Sequence, residues 1–303
     1  MKIKSYTSAP ILAIFVFLLT LCADNIIAGL DMNINSYLLV CGAVQVVTYA
    51  LPLLLYALLF GGVSVKRMRF TLPTAVSVPS QILLAVILLL GSSLISMLGI
   101  RLGFSGASES AVSAIGSPSA LVLVIFAVVP AVCEEIVFRG VIMSSFEPCG
   151  IAPAVIGTSL LFAFAHMSVE NFFVYFFSSV VLCFITYVSR SVISAILIHS
   201  LYNMVVLTLS DYISGIAAHL ESFSLLFIVM LFLLWILVIV TLTESTRVYR
   251  NYAEKGLDSS YTPERLSRPQ RLKAAVSVYF SVPFLVSVII YIAVVVFSLQ
   301  DIT

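Results

Sequence analysis

The chain has 303 residues, of which 61% are hydrophobic and only 10% are charged. A soluble domain carries roughly 25% charged residues, so this composition cannot cover the surface of a globule and predicts an integral membrane protein. The net charge is +1, which provides no basic field for nucleic acid and excludes that class of partner.

Nine long apolar runs divide the chain, and each approaches the roughly 20 residues that a helix needs to cross a lipid bilayer. They predict an all-α fold, a polytopic bundle of about nine transmembrane helices. Proline residues inside such runs can kink a membrane helix without breaking it. The predicted spans lie at 9–29, 37–60, 80–100, 119–140, 152–168, 171–189, 191–210, 223–243 and 277–298.

Basic residues are distributed unevenly between the predicted loops. With a cytoplasmic N-terminus, 13 of the 15 Lys and Arg residues fall on the cytoplasmic side. The two exceptions are Arg101, which lies outside, and Arg139, which lies within a span. This asymmetry follows the positive-inside rule, so we expect a multi-pass protein of the cell membrane with its N-terminus in the cytoplasm and its C-terminus outside.

The spans fall into three regions. Residues 1–118 hold the N-terminal transmembrane helices, 119–212 hold a core with the polar clusters described below, and 213–303 hold the C-terminal transmembrane helices. A polar, basic stretch at 244–276 separates the last two spans and is predicted to be a cytoplasmic loop. Its basic residues are expected to face anionic lipid, with docking of a partner as the alternative.

Ionisable residues inside the apolar runs are candidates for a functional site, because a charge within the bilayer costs at least ~2.5 kcal/mol. The first cluster holds Glu134, Glu135 and Arg139. Glu135 and Arg139 are four residues apart and share one helix face, so we expect them to pair. Glu134 is rotated by about 100° from Glu135, which leaves its carboxylate free to act as a general base.

Two further clusters contain histidine. Phe162 and His166 are four residues apart, as are His199 and Asn203, so each pair shares a helix face. Imidazole and amide groups can serve as hydrogen-bond donors, as proton carriers or as metal ligands. Each of these residues alone could simply bond a neighbouring helix, but three clusters in one chain favour a single assembled site.

Together the clusters resemble the three motifs of the CPBP family, which comprises the CAAX proteases and the bacteriocin-processing or self-immunity proteins. The motifs occur in the family's order on successive apolar runs, and the resemblance covers roughly Leu121 to Val206. They are EExxxR at 134–139, FxxxH at 162–166 and HxxxN at 199–203.

The resemblance implies an intramembrane endopeptidase that cleaves peptide or protein substrates presented in the membrane, with a water activated by a glutamate. By motif position, Glu134 would be the general base and His166 would help to hold the water. His199 and Asn203 would stabilise the oxyanion of the tetrahedral intermediate. The supporting residues would be Glu135, Arg139 and Phe162.

Metal dependence is left open by this interpretation. The resemblance favours a metal-free mechanism without a cofactor, but members of the family are also described as metalloproteases. If zinc were present, its ligands would be Glu134, His166 and His199, because two histidines and a glutamate form a catalytic zinc set in other enzymes.

Two other functions are alternatives to the protease. The first is a non-catalytic membrane scaffold, such as a bacteriocin self-immunity protein, although the motifs are intact. The second is a proton-coupled transporter, for which Glu134 and the two histidines could relay protons, although the sequence shows no internal repeat.

The predicted spans place Glu134 and His166 at different depths in the membrane. Glu134 lies about 22 Å from the outer end of its predicted span, at 1.5 Å per residue. His166 instead lies near the outer end of its own span. We therefore expect the helix of His166 to continue beyond Ser168.

Overall fold

The fold, taken here from a computed structural model, is built from helices without strands over the residues that the structure describes. Those residues are 5–28, 33–61, 68–102, 119–219, 225–255 and 266–300. The all-α class predicted from the apolar runs is confirmed. Most of the predicted outer loop at 101–118, and the middle of the predicted cytoplasmic loop at 244–276, lie outside the described residues.

Ten helices follow one another along the described part of the chain, and a short 3-10 turn at Ala75–Ser77 precedes the third. Their bounds are α1 Ser5–Ala28, α2 Ile34–Phe60, α3 Val78–Arg101, α4 Ala120–Cys149, α5 Ile151–Ala165, α6 Phe172–Ser189, α7 Val192–His219, α8 Leu225–Glu254, α9 Arg268–Tyr279 and α10 Val282–Gln300.

Seven of the described helices are long and apolar enough to cross a membrane, and there are eight spans if α9 and α10, which meet at 44°, form one. The count of about nine predicted spans is therefore high by one or two. The predicted span at 152–168 is α5, which has only 15 residues. Such a helix rises about 22 Å, which is less than the ~30 Å thickness of the hydrocarbon core.

Helix α4 is irregular on both sides of the two glutamates. Its α-helical segment Val129–Glu135 lies between two π-helical segments, Val124–Val128 and Ile136–Met143. Pro130 accounts for the first of these, because proline has no N–H to donate and its ring displaces the carbonyl of the preceding turn. Wide turns of this kind are frequent at functional sites, where they redirect side chains.

Helices α5 and α6 form a hairpin that begins and ends at the same side of the bundle. The hairpin begins after Gly150, whose φ of 106° lies in the region that favours glycine. Just before it, Glu147 pairs with Arg69 at 2.8 Å. Just after it, the Arg190 carbonyl accepts a hydrogen bond of 3.0 Å from the hydroxyl of Thr71. The segment around 69–71 therefore contacts the chain both just before and just after the hairpin.

The turn at Gly150, between α4 and α5, brings Glu134 and His166 to one depth. Glu134 precedes Gly150 by the same length of chain as His166 follows it, so antiparallel helices that diverge from this turn place them at similar heights. The expectation that the helix of His166 continues beyond Ser168 was wrong, since α5 ends at Ala165. The conflict disappears because α5, with 15 residues, is shorter than the hydrocarbon core is thick, so His166 at its end need not lie at the outer face.

Two buried apolar clusters hold the helices that carry the site. The larger one lies mainly between α1, α4 and α5, and Phe17, Phe138 and Phe162 are among its fully buried members. The second lies between α3, α6 and α8, and includes Leu88 and Ile185. Helices α4, α5 and α6, which carry most of the predicted site residues, are thus packed between the two clusters. This packing fixes the positions of their polar side chains.

Candidate active site

The two adjacent glutamates of α4 are both buried but have different surroundings. The Glu135 Oε1 atom lies 2.7 Å from Arg139 Nη1 and 2.8 Å from His199 Nδ1. The Oε2 atoms of both glutamates are buried without a hydrogen-bond partner among the described residues, and that of Glu134 lies 3.9 Å from His199 Nε2. The Glu135 carboxylate is therefore held by two close donors through one oxygen, whereas the nearest ring nitrogen of His199 is more than 1 Å farther from Glu134.

The Arg139 guanidinium connects three helices. Its Nη1 bonds Glu135 on the same helix, and its Nη2 donates to the hydroxyl of Ser179 on α6 at 3.0 Å. The guanidinium carbon also lies 4.6 Å from the ring centroid of Phe162 on α5. A buried charge of this kind is tolerated because it is paired, hydrogen-bonded and stacked on an aromatic face.

The His166 ring is positioned by two contacts. Its Nδ1 lies 2.9 Å from the carbonyl oxygen of Phe162. A carbonyl can only accept, so Nδ1 carries the proton and Nε2 of the neutral ring is an acceptor. The ring also stacks on Tyr175 of α6, with centroids 3.8 Å apart and planes at 22°. His166 thus presents a lone pair in a fixed direction.

The His199 ring lies between the two glutamates. Its Nδ1 donates to Glu135 Oε1 at 2.8 Å, and its Nε2 lies 3.9 Å from Glu134 Oε2. A carboxylate that accepts from one ring nitrogen fixes the orientation and the tautomer of an imidazole. Asn203, one turn further along α7, lies with its Nδ2 3.5 Å from the carbonyl of Ala127.

Most of the predicted site residues line one cavity of about 250 Å³, which we call the site cavity. Glu134, His166, His199, Asn203 and Phe162 all line it, so the structure brings the three motifs together. Glu135 and Arg139 lie behind this wall and contact it through His199 and Phe162. The catalytic and supporting roles of these residues stay predictions. The other polar side chains on the wall are Tyr175, Ser178 and Tyr202.

The alternative zinc set does not fit this arrangement. Among the described residues, no three His, Cys, Asp or Glu side chains converge closely enough to hold a metal ion, and this includes Glu134, His166 and His199. We therefore derive no step through a metal.

Three residues at the site were not predicted from the sequence. Tyr175 stacks on His166, Ser179 binds Arg139, and the buried Tyr49 of α2 lies beside the Glu134 carboxylate. Ser179 belongs to a serine pair within an apolar run, which is a signal that could have indicated it. Tyr49 carries no comparable signal, because it lies on a different apolar run, far upstream of the first motif.

One known protein family matches the segment whose residues form most of the site cavity. The family model that matches is described as Rce1-like: Type II CAAX prenyl endopeptidase Rce1-like, and the match covers residues 116–205. The segment matches the Rce1-like family. This confirms the resemblance to CPBP-type CAAX proteases that the motifs indicated, and all seven predicted site residues fall within the match.

The match includes α4, α5, α6 and the first half of α7, and it overlaps the predicted core at 119–212. At the level of the family, it supports a CAAX-protease-type membrane endopeptidase, and the apolar helices agree with a multi-pass membrane protein. No curated protein and no solved structure gives a match to the chain.

Proposed function

We propose that this protein is an intramembrane endopeptidase in which Glu134 activates a water molecule. The observation that carries the proposal is the contrast between two adjacent carboxylates. Glu135 is held through its Oε1 atom by Arg139 and His199 and lies behind the cavity wall, whereas Glu134 lines the site cavity itself. A buried carboxylate that faces the cavity and is not bound by an arginine is suited to accept a proton from water.

In the proposed reaction, Glu134 takes one proton from the water while the water oxygen attacks the carbonyl carbon of the scissile peptide bond. A tetrahedral intermediate with a negatively charged oxygen forms. When the C–N bond breaks, Glu134 returns the proton to the leaving amine, so atoms and charges balance. The Nε2 lone pair of His166 accepts a hydrogen bond from the other O–H of the water and so orients it for the attack, without taking the proton.

His199 and Asn203 are proposed to stabilise the oxyanion. The protonation state of His199 decides whether it can do so, because its Nδ1 proton is already donated to Glu135. Nε2 of His199 can therefore donate to an oxyanion only when the ring is an imidazolium. Glu135 holds the Nδ1 side of this ring, which gives the second glutamate a role in positioning His199.

The proposed substrate is a peptide or protein segment presented within the membrane. The name of the matching family adds prenylated C-terminal peptides as a specific case to examine. The test is cleavage of membrane-anchored peptides, with and without a prenyl group, by the full chain in lipid nanodiscs. Cleavage in water labelled with heavy oxygen should place one labelled oxygen in the new carboxyl group.

The decisive variant is Glu134→Gln, which keeps the shape of the side chain and removes the base. We expect the cleavage rate to fall by ~10²–10⁴ while the protein stays folded. Glu244→Gln is the matched control, since Glu244 is a carboxylate on α8 outside the site cavity. Full activity of Glu134→Gln would refute the proposal. Tight peptide binding without any cleavage by the wild type would favour the scaffold, and proton-driven uptake would favour the transporter.

A further inference from the structure

A second cavity, of about 740 Å³, lies on the other face of α6. Tyr175, Ser178 and Leu182 of this helix face the site cavity, whereas Phe177 and Phe184 face the second one. The second cavity is bounded mainly by α3, α6 and α8, and its volume is in the range of small-molecule binding sites. We call it the basic groove. It shares a helix with the candidate active site but none of its lining residues.

The long walls of the basic groove are apolar and reach the surface of the bundle. The groove follows α6 from Phe177 to Arg190, a distance of about 20 Å, which is comparable to the ~15 Å of one leaflet. Phe184, Val238 and Leu242 are substantially exposed. The groove therefore opens towards lipid rather than into the protein core. Its other apolar walls are formed by Leu84, Ile87, Val181 and Val188.

The charged residues of the groove gather at one end. Arg69, Arg190 and Arg271 line this end together with a single carboxylate, Glu147, so its lining carries two positive charges in excess. The Arg271 side chain is exposed, and its Nε donates to the carbonyl of Leu266 at 2.9 Å. This end carries the positive charge that an anionic ligand requires.

A polar group with no partner lies at the same end. The Tyr187 hydroxyl is buried and has no hydrogen-bond partner among the described residues, while the Arg69 guanidinium lies 5.4 Å from its ring centroid. A buried hydroxyl without a partner is unfavourable, and a ligand oxygen would satisfy it. The end also lies where Gly150 and Arg190 mark the two ends of the α5–α6 hairpin, at the edge of the apolar part of the bundle.

We propose that the basic groove binds one membrane phospholipid with an anionic head group. The phosphate is held by Arg190, Arg271 and the Tyr187 hydroxyl, and an acyl chain lies along Phe184 and Val238. Arginine recognises phosphate through several directed donors, and basic pockets between transmembrane helices are known sites for anionic head groups. The excess of positive charge favours this lipid over a zwitterionic one, and the apolar walls favour it over free phosphate.

The test measures lipid binding by native mass spectrometry of the full chain in detergent. The two probes are phosphatidylglycerol and phosphatidylcholine with identical acyl chains. We expect one phosphatidylglycerol to be retained per protein and to bind at least tenfold more tightly than phosphatidylcholine, because two excess arginine charges each contribute about a factor of five. Inorganic phosphate should not displace it, since it lacks the chain.

Three variants separate the head group from the tail. Arg271→Gln should weaken phosphatidylglycerol binding about fivefold. Tyr187→Phe should weaken it about tenfold, because a hydrogen bond to a charged group is lost. Val238→Trp should block the chain and abolish binding of both lipids. Arg250→Gln is the matched control, since this exposed arginine of α8 does not line the groove.

Several results would overturn the proposal. Equal retention of the two lipids would remove the head-group specificity, and displacement by inorganic phosphate would remove the role of the chain. An effect of Arg250→Gln as large as that of Arg271→Gln would show that only the general surface charge matters. Thermal unfolding of each variant without added lipid shows whether Val238→Trp is folded, and the two milder variants test the head group independently of it.

Discussion

The Oε1 atom of Glu135 is shared between two partners on different helices. It binds Arg139 one turn away on α4 and His199 on α7. A single carboxylate therefore neutralises the buried guanidinium and orients the imidazole that faces Glu134. This double contact separates two functions of Glu135, which are stability through Arg139 and the alignment of the site through His199.

Replacing Glu135 should reveal both functions. Glu135→Gln leaves a guanidinium buried without its carboxylate, and breaking such a pair costs about 3–5 kcal/mol. We expect both the melting temperature and the cleavage rate to fall. In the double variant Glu135→Gln with Arg139→Gln, part of the stability should return because the unpaired charge is gone. The activity should not return, because His199 still lacks its carboxylate.

Thermal unfolding and peptide cleavage measure the two effects separately. The control is Glu244→Gln, which breaks the exposed pair with Arg247 on α8 and should change the stability by no more than about 1 kcal/mol. If the double variant regained full activity, the role of Glu135 would be structural only. If Glu135→Gln kept the wild-type melting temperature, the buried pair would not be needed for folding.

The proposed mechanism also predicts insensitivity to chelators. Catalysis by Glu134 needs no metal, so phenanthroline should leave the cleavage rate unchanged, and metal analysis of the purified protein should find much less than one zinc per chain. A metal-dependent enzyme would lose activity on chelation and recover it with added zinc. That outcome would instead assign Glu134, His166 and His199 as ligands.

At the scale of elements, the short helix α5 determines the depth of the site. The turn after it is anchored by Tyr291 of α10, whose hydroxyl donates to the carbonyl of Ser168 at 3.1 Å. Near its middle, Gly157 allows close packing on α4, because a Cβ there would come within 3.2 Å of the Phe146 ring. These contacts hold His166 at the end of a helix that stops level with Glu134.

The contact between α6 and the turn after α5 can be tested through Tyr175. Tyr175→Phe keeps the ring that stacks on His166 and should retain most of the activity. Tyr175→Ala removes the stack, and a contact of this kind contributes about 0.5–1.5 kcal/mol, so we expect the cleavage rate to fall by up to about tenfold. Cleavage assays at saturating substrate measure this change.

Phe173→Ala is the control for Tyr175→Ala, because Phe173 is an exposed aromatic residue on the same helix. It should leave the cleavage rate unchanged. A large loss of activity in Tyr175→Phe would show that the hydroxyl, rather than the stacked ring, is the important group. Equal losses for Phe173→Ala and Tyr175→Ala would indicate a general weakening of α6.

At the scale of the whole molecule, several chain segments meet at one end of the bundle. The Tyr252 hydroxyl near the end of α8 bonds Thr74 Oγ1 at 2.8 Å and the carbonyl of Val188 at 3.2 Å. The segment before α3, the end of α6 and the end of α8 therefore lie on the same side. By the distribution of basic residues, this side is predicted to be cytoplasmic.

Labelling of single cysteines tests this orientation. On a background without the five native cysteines, Phe70→Cys and Lys255→Cys should react with an impermeant maleimide only after the cells are opened. Leu102→Cys, at the opposite end of α3, should react in intact cells. All three positions are exposed, so access is decided by the membrane. Labelling of Phe70→Cys and Lys255→Cys from opposite sides would contradict the arrangement of the helices.

Some properties of this protein follow from the sequence by itself, and they are the local ones. The low fraction of charged residues is sufficient to assign a membrane protein, and the apolar runs of about 20 residues are sufficient to assign the all-α class. The pairing of Glu135 with Arg139 follows from their i, i+4 spacing within one helix. The three motifs identify the family of the segment, and Glu134, His166, His199 and Asn203, which they select, line a single cavity in the structure.

Only the tertiary structure decided the properties that depend on distances between helices. Hydropathy counts apolar residues but does not measure depth, so the 15 residues of α5 were predicted as a full span. The bond between Glu135 and His199 joins residues that are 64 positions apart and lie on different helices. The periodicity of a single helix cannot predict such a contact. The basic groove likewise exists only because α3, α6 and α8 bring apolar faces and distant arginines together.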